Sequence, residues 1–344
     1  MKLDNQFKFT VHSHFILPAL RAAEQKGASL GLLLQGTGVS PQMLRDPQVR
    51  FTVDQHNAIV KRLWRLLDDQ NLGLLPRVLP LGAFQVGCEL AMNADTLDEM
   101  FRKMFYASQV INSYIQWQFE VIDGQAIIAF NFLGFEDSSR VPTEWSLLCL
   151  HRFACWVSGR SFPLQRVAFR YERPPYAEEY ARLFGCPCTY SWHRQELVFE
   201  ERYLKLRVIR TWRDLPEFVA HSPGILLALP SSEDNIALHV RRLLMDGGQR
   251  PAVFPSLDSL ATSLGMTGQT LYRRIKSEGT SYQKIKDDIR RDLAIDLLAN
   301  TQRTMAEIGE QLGFSEACSF SRAFKHWTGV PPMAYRSKAH GLPD

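Results

Sequence analysis

No apolar run in the chain approaches the roughly 18 to 20 residues needed to span a bilayer. Even "GILLALP", at 224 to 230, stops at a proline, so no membrane partner is expected. The six cysteines, Cys88, Cys149, Cys155, Cys186, Cys188 and Cys318, are scattered without the spacing of a disulfide framework. Met1 to Thr10 is polar rather than an apolar leader, and a reducing cytoplasm is the expected compartment. "CPC" at 186 to 188 has no second pair nearby to complete a zinc site. "GTG" at 36 to 38 lacks the preceding strand and the lysine of a phosphate loop. His12 and His14 suit capping or surface positions better than a ligand pair. With no Ser/His/Asp constellation, nucleotide loop or metal spacing, no catalytic residue, cofactor or metal site is expected, and the chain does not read as an enzyme.

A strong net charge is also missing. Forty Lys and Arg against 36 Asp and Glu leave +4, which permits a polyanionic partner without requiring one. Glu233 to Asp344 holds 15 basic and 13 acidic residues and the remainder 25 and 23, so bulk charge does not separate the two parts. Placement does. Gly268 to Ser277 and Ala317 to Leu342 contain Lys and Arg but no Asp or Glu, while acids gather at Asp287, Asp288, Asp292, Asp296, Glu307 and Glu310. A surface facing phosphates would be built this way, because a carboxylate there is repelled and each Lys or Arg releases counterions.

With 344 residues and 45% hydrophobic content, the chain can build two domains. The first 215 residues read as mixed α and β. Asp95 is an N-cap candidate for a helix that places Leu97, Met100, Phe101, Met104 and Phe105 at helical spacing. "WQFEVIDGQAIIAFNF" then alternates with period two around Asp123-Gly124, which predicts a type I′ hairpin. A second hairpin is expected from "RVAFRY" and "CTYSWHRQELVFE", with helices over Glu144 to Gly159 and Tyr176 to Phe184 and Gly185 as a stop. Leu204 to Leu229 reads as a helical stretch broken by Pro216 and Pro223, and "LPSSEDN" follows with turn and capping residues. The expected division is therefore 1–215, a linker at 216–234, and an all-α part at 235–344.

That all-α part repeats itself. Leu260, Ala261, Leu264 and Gly265 recur 48 residues later as Ile308, Gly309, Leu312 and Gly313, and Leu271, Arg273, Ile275 and Lys276 recur 49 later as Phe320, Arg322, Phe324 and Lys325. The second copy has one more residue in its turn. Each copy pairs a short helix carrying a small inner residue with a glycine turn and a second helix, capped by Thr267 and Ser315 respectively. That is a helix-turn-helix pattern, twice. Between the copies, Ser281 to Leu298 is an uninterrupted helical pattern. At 1.5 Å per residue it spans about 27 Å, against about 34 Å between successive major grooves on one face of DNA.

"RRDLAIDLLANTQRTMAEIGEQLGFSEACSFSRAFKHWTGVPPMAYR" adds a GF before the second recognition helix, an F-S-R-A-F-K run and a G-V-P-P-x-x-Y-R ending. Over residues 236 to 338 the chain thereby resembles the AraC/XylS family of bacterial transcription regulators. The resemblance implies a seven-helix domain whose two recognition helices enter major grooves of double-stranded promoter or operator DNA. Carried over by position, it implies Gln269, Tyr272 and Arg273 in the first unit and Ala317, Cys318 and Arg322 in the second as base-edge candidates. The two arginines suit bidentate guanine contacts and Gln269 suits adenine. Ala317 and Cys318 offer either a thymine-methyl contact or no readout. Arg274, Lys276, Ser319, Ser321 and Lys325 fit phosphate contacts that set register. Leu271, Ile275, Phe320, Phe324, Trp327 and Tyr335 fall on apolar helix sides and read as core. Arg290 and Arg291 should pair with Asp287 or Asp288, and Pro331 and Pro332 should shape the entry to the last helix.

The front half is too helical for a β-barrel sensor. It is similar to the mixed α/β sensors of another AraC-type subgroup in "SLGLLLQGTGVSPQMLRDPQVRF" and "LGAFQVGCELAMNADTLDEMFRKM". Phe101, Phe105, Tyr106, Trp117, Phe119, Phe130, Phe132, Trp145 and Trp156 could line a pocket or simply form core, so the effector-binding residues stay unknown. The expectation is a ligand-responsive DNA-binding regulator of α+β class. Its partners would be DNA, a small organic or fatty-acid-like effector, RNA polymerase if it activates, and a second copy bound through the front half. An enzyme domain fused to a DNA-binding tail and an effector-free constitutive regulator remain alternatives.

Overall fold

The computed structural model describes residues 10–46, 49–228, 236–246, 254–278 and 280–339. "LPSSEDN", expected to carry the junction, lies outside the described residues. The fold class is α+β. Contacts gather the chain into two compact units, residues 1–62 together with 236–344, and residues 63–235.

The chain opens with a ribbon that the sequence did not suggest. Strand β1 (Thr10–His12) pairs antiparallel with β2 (Arg50–Thr52), Thr10 opposite Thr52 and His12 opposite Arg50. Between them lie helices α1 (Leu17–Gln25), with a proline in its first turn, and α2 (Leu30–Leu34), capped by Ser29. His12 does serve as a cap, accepting from the His14 amide at 3.1 Å. Helix α3 (Val53–Leu67) follows β2.

In the 63–235 unit, α4 (Ala83–Ala91) packs on α5 (Leu97–Ile111). Thr96, not Asp95, caps α5, its hydroxyl accepting from the Glu99 amide. The Asp95 amide instead donates to the Glu99 carboxylate at 2.8 Å, so the cap sits one residue later than expected. The hairpin is as expected. Strands β3 (Ile115–Ile122) and β4 (Gln125–Phe132) join through Asp123 and Gly124, both at positive φ (50° and 75°), as a type I′ turn demands. Helix α6 (Val141–Ser158) is buried along most of its length, and α7 (Glu178–Phe184) ends at Gly185 in the left-handed region.

The expected second hairpin is different. Strand β5 (Arg166–Ala168) runs parallel to β6 (Cys188–Thr189) and antiparallel to β7 (Gln195–Glu200), giving the order β3-β4-β7-β5-β6. The helix between β5 and β6 makes a crossover, and crossovers join parallel strands. Nor is Leu204 to Leu229 one broken helix. After a 3-10 turn at Glu201–Lys205, residues 206–214 are non-helical. Pro216 stands in the first turn of α8 (Leu215–His221), where its missing N–H costs nothing, and α9 (Gly224–Ala228) follows. Of the nine aromatics considered as a pocket lining, Phe101 and Phe130 are fully buried in a ring cluster with Phe105, Trp117 and Phe119, whereas Tyr106 is 65% exposed.

The remaining described residues form seven helices: α10 (Ile236–Asp246), α11 (Leu257–Ser263), α12 (Gly268–Ser277), α13 (Tyr282–Asn300), α14 (Met305–Gln311), α15 (Ala317–Thr328) and α16 (Pro332–Ala339). The N-terminal ribbon belongs to the same unit and packs on α13 and, through residues 43–45, on α16. A buried polar cluster fastens it. Arg50 donates to the Thr10 hydroxyl and carbonyl at 2.7 and 2.8 Å, and the Thr10 hydroxyl donates to Asp292 of α13. Asp292, 1% exposed, also accepts from Arg241 of α10 at 2.7 Å and from Arg291 at 3.1 Å. The Tyr335 hydroxyl of α16 donates to the Arg50 carbonyl at 2.9 Å.

Candidate nucleic-acid interface

Both copies of the repeat fold as helix-turn-helix units. Gly265 and Gly313 take the turns at φ 67° and 81°, a region a side chain rarely enters. In the first unit, Leu260, Ala261, Leu271 and Ile275 share a core with Ile236, Val240, Ile285 and Ile289. In the second, Ile308, Leu312, Phe320 and Phe324 are fully buried. A Cβ added to Gly309 would come 3.3 Å from the Phe320 Cβ, so the two helices meet there at glycine distance. Trp327 is half-buried against Phe314, while Tyr335 is buried as expected.

The two second helices begin differently. The Thr267 hydroxyl caps α12, accepting from the Thr270 amide at 3.2 Å. The Asp258 carboxylate lies so close to the first residue of α12 that a Cβ at Gly268 would fall 1.8 Å from it, and a carboxylate at a helix N-terminus is favoured by the dipole. Ser315 does not cap α15. Glu316 holds the cap position without a side-chain cap, because the extra turn residue moves the helix start one place on. The Cys318 thiol donates to the Glu316 carboxylate at 3.1 Å.

On α12, Gln269, Tyr272, Arg273 and Lys276 are exposed and, at spacing i, i+3, i+4, i+7, share one helix face. Lys276 stands over the Tyr272 ring at 5.8 Å. Arg274 is exposed too, but at 100° per residue it falls on the other side of the helix, beside Glu278. On α15, Cys318, Arg322 and Lys325 are exposed and Ser319 and Ser321 half-exposed. Arg322 donates to the Ser319 hydroxyl at 3.4 Å. Ala317 is half-buried, its Cα 3.8 Å from a Cβ placed on Gly309. The Lys338 side chain lies outside the described residues.

The connecting helix holds the two units in register. Helix α13 has 19 residues and is capped by Ser281, a length of about 28 Å. Arg291 pairs with Asp288 at 2.7 Å as expected. Arg290 does not take an acid. It donates to the Leu312 carbonyl at 3.0 Å, in the turn of the second unit, with its guanidinium 5.0 Å from the Phe254 ring centre and 5.3 Å from that of Phe314. One side chain thus clasps a ring before the first unit and a ring within the second. No local pattern announces it, since its partners lie 36 and 24 positions away.

Glu278, just past the end of α12, accepts from the Ile236 and Ala237 amides at 2.8 Å each. It closes the N-terminus of α10, while burial, its largest influence, raises its pKa. Among the described residues, no helix is long and apolar enough to cross a membrane.

Residues 27–208 match the family described as the arabinose-binding domain of AraC transcription regulator, N-terminal, and residues 260–338 match a helix-turn-helix domain family. The chain belongs to the AraC family of transcription regulators: it joins an N-terminal ligand-binding domain of that type to a helix-turn-helix DNA-binding domain. It is similar to the ornithine utilization regulator of Pseudomonas aeruginosa, at 28% identity over 90% of this chain and 91% of the relative. It is also similar to the transcriptional regulator VqsM of the same organism, at 39% identity over 26% of this chain and 28% of the relative. The crystal structure of the transcriptional regulator CdpR from Pseudomonas aeruginosa aligns over 94% of this chain and 98% of its own at 18% identity, with a TM-score of 0.32.

Proposed function

We propose that α12 and α15 enter successive major grooves of one DNA duplex, with residues 1–215 sensing a small organic effector and 216–234 linking them to the DNA-binding part. Gln269, Tyr272, Arg273, Cys318 and Arg322 face base edges, with Ala317 at the half-buried margin of that face, and Lys276, Ser319, Ser321 and Lys325 face phosphates, with Arg274, on the other side of α12, reaching a phosphate only from the rim of the groove. The observation carrying this reading is the exposed face shared by Gln269, Tyr272, Arg273 and Lys276 and matched by Cys318, Arg322 and Lys325 on α15, two helices that contain Lys and Arg but no Asp or Glu, the nearest carboxylates, Asp258 and Glu316, standing at their N-termini. The protein acts in the cytoplasm, where its DNA lies, as a homodimer whose second copy raises affinity for paired sites by effective concentration. An effector works by binding the DNA-competent conformation more tightly than the other, and an activating form then contacts RNA polymerase.

The test uses duplexes selected from random sequence by the full-length protein. Arg273→Ala and Arg322→Ala should each lose about 1 to 3 kcal/mol of discrimination, each at its own half of the selected site. Equal weakening on every sequence would make them phosphate clamps and sink the base-reading assignment.

A further inference from the structure

The 63–235 unit buries a charged group whose donors are only partly matched. Arg152, in α6, is 3% exposed. Its Nη2 donates to the Leu183 carbonyl in α7, but Nε and Nη1 are shut off from solvent and meet no acceptor. Burial lowers its pKa only to about 10, partly opposed by the Cys155 and Cys186 thiols, so the guanidinium is charged at neutral pH. Its sequence neighbour His151 is 1% exposed, with Nε2 at 2.9 Å from the Phe162 carbonyl and Nδ1 without a partner. Burial first, then the charge of Arg152, hold His151 near a pKa of 3, so it adds no second charge. The Phe162 ring meets the imidazole edge-on at 5.0 Å. A guanidinium in such surroundings is strongly unfavourable unless something anionic completes it.

We propose that Arg152 is the anchor for the effector's carboxylate, the effector being a small organic monoacid whose oxygens accept from Nε and Nη1. This rests on reading the front half as an effector-binding domain and names the class of effector. One buried positive charge calls for one negative charge. The neutral imidazole, the thiols and the phenyl ring suit an apolar body behind the carboxylate better than a phosphate dianion. Because both free nitrogens are closed to solvent, the acid enters by an opening of the α6–α7 region and is sealed in afterwards.

The experiment follows the thermal midpoint of the full-length protein with acetate, octanoate and benzoate, against octanamide, octylamine and sodium chloride at matched ionic strength. At least one carboxylate should raise the midpoint while the amide and the amine leave it unchanged. Arg152→Met, which removes the charge and keeps the length, should raise the ligand-free midpoint and abolish the carboxylate response. Should that variant fail to fold, Arg152→Lys carries the test and should show a smaller carboxylate shift than the parent. Absence of any carboxylate shift overturns the proposal. A shift from octanamide or octylamine that persists in the Arg152 variant overturns it too, but leaves an effector-binding domain standing. A chloride shift equal to that of octanoate makes the occupant an inorganic anion and overturns the organic acid. Silence from every compound, charged or neutral, counts against the effector reading as well.

Discussion

The two helix-turn-helix units solve one packing problem with opposite allocations of bulk. In the first, Ala261 on the leading helix shares its core with Leu271 and Ile275 on α12. In the second, the leading helix is cut back to Gly309, and α15 fills the space with Phe320 and Phe324. What one helix gives up the other takes, so side-chain volume is redistributed across the contact. The outer faces are under no such constraint: α12 presents Gln269, Tyr272 and Arg273, where α15 presents Cys318 and Arg322 with Ser319 and Ser321 between them. Inner positions match as pairs, and outer positions differ freely. Under the proposed assignment, the longer, hydrogen-bonding set on α12 gives the first unit more base-edge partners than the second.

The comparison can be broken at three levels. The largest effect should come from Asp292→Ala in the helix common to both units. Removing this carboxylate leaves Arg241 and Arg291 buried without their shared partner, which should cost about 3 to 5 kcal/mol in denaturant titration and loosen both units together. A loss below about 1 kcal/mol would show that the arginines escape to water. Next, Gly309→Ala should cost about 1 to 3 kcal/mol by overpacking against Phe320. Pairing it with Phe320→Leu, which rebuilds the first unit's allocation inside the second but keeps the Cβ and Cγ that the new methyl meets, should recover only the part of the loss that the ring beyond Cγ contributes. Purely additive losses would refute the matched-pair account. The smallest effect is acid-dependent. Helix α14 starts with a capping box in which the Glu307 carboxylate accepts from the Thr304 amide at 2.7 Å, whereas α11 starts with the Ser256 hydroxyl, which does not titrate. The Thr304 amide, then the Thr304 hydroxyl, hold the Glu307 pKa below its usual value. Its contribution is therefore complete above the ordinary glutamate range and is lost as pH falls through the depressed folded value. Because α11 carries Asp258 in its own first turn, the control is Glu307→Gln: amide chemical shifts in the first turn of α14 should move in that window in the parent and stay still in the variant, and equal movement in both would dismiss the capping box as the cause.

The double reader was legible in the sequence because its signals are local: turn glycines, the Thr267 cap, the apolar spacing of α13 and the acid-free stretches. The same locality explains the errors. Ser315 looked like a cap because the extra turn residue could not be placed by counting, and the α7 crossover turned a supposed hairpin into a parallel pair. Strands β1 and β2 escaped notice because each is three residues long and pairs across about forty positions, with Arg50 linked only through the Thr10 hydroxyl to a carboxylate 242 residues further on. Asp292 read as one more of the acids gathered away from the basic stretches, since its neighbour Arg291 was expected to pair with Asp287 or Asp288 and nothing nearby in sequence hints at Arg241 or Thr10. Most of the candidate interface was legible as a face, through the spacing of Gln269, Tyr272, Arg273 and Lys276. The place of Arg274 on the other side of α12 follows from the same spacing, whereas the half-burial of Ala317 depends on Gly309 and emerges only once the helices are placed.

The ribbon at Thr10 and Arg50 has a consequence for how the protein is made. Thr10 and Arg50 complete a body in which Asp292 and Tyr335 follow them by 282 and 285 residues. Domains usually close in order as they leave the ribosome; here Thr10 and Arg50 must wait, their polar groups still hydrated, until α13 and α16 have been made. The body that holds the two helix-turn-helix units therefore closes around a segment made long before either of them.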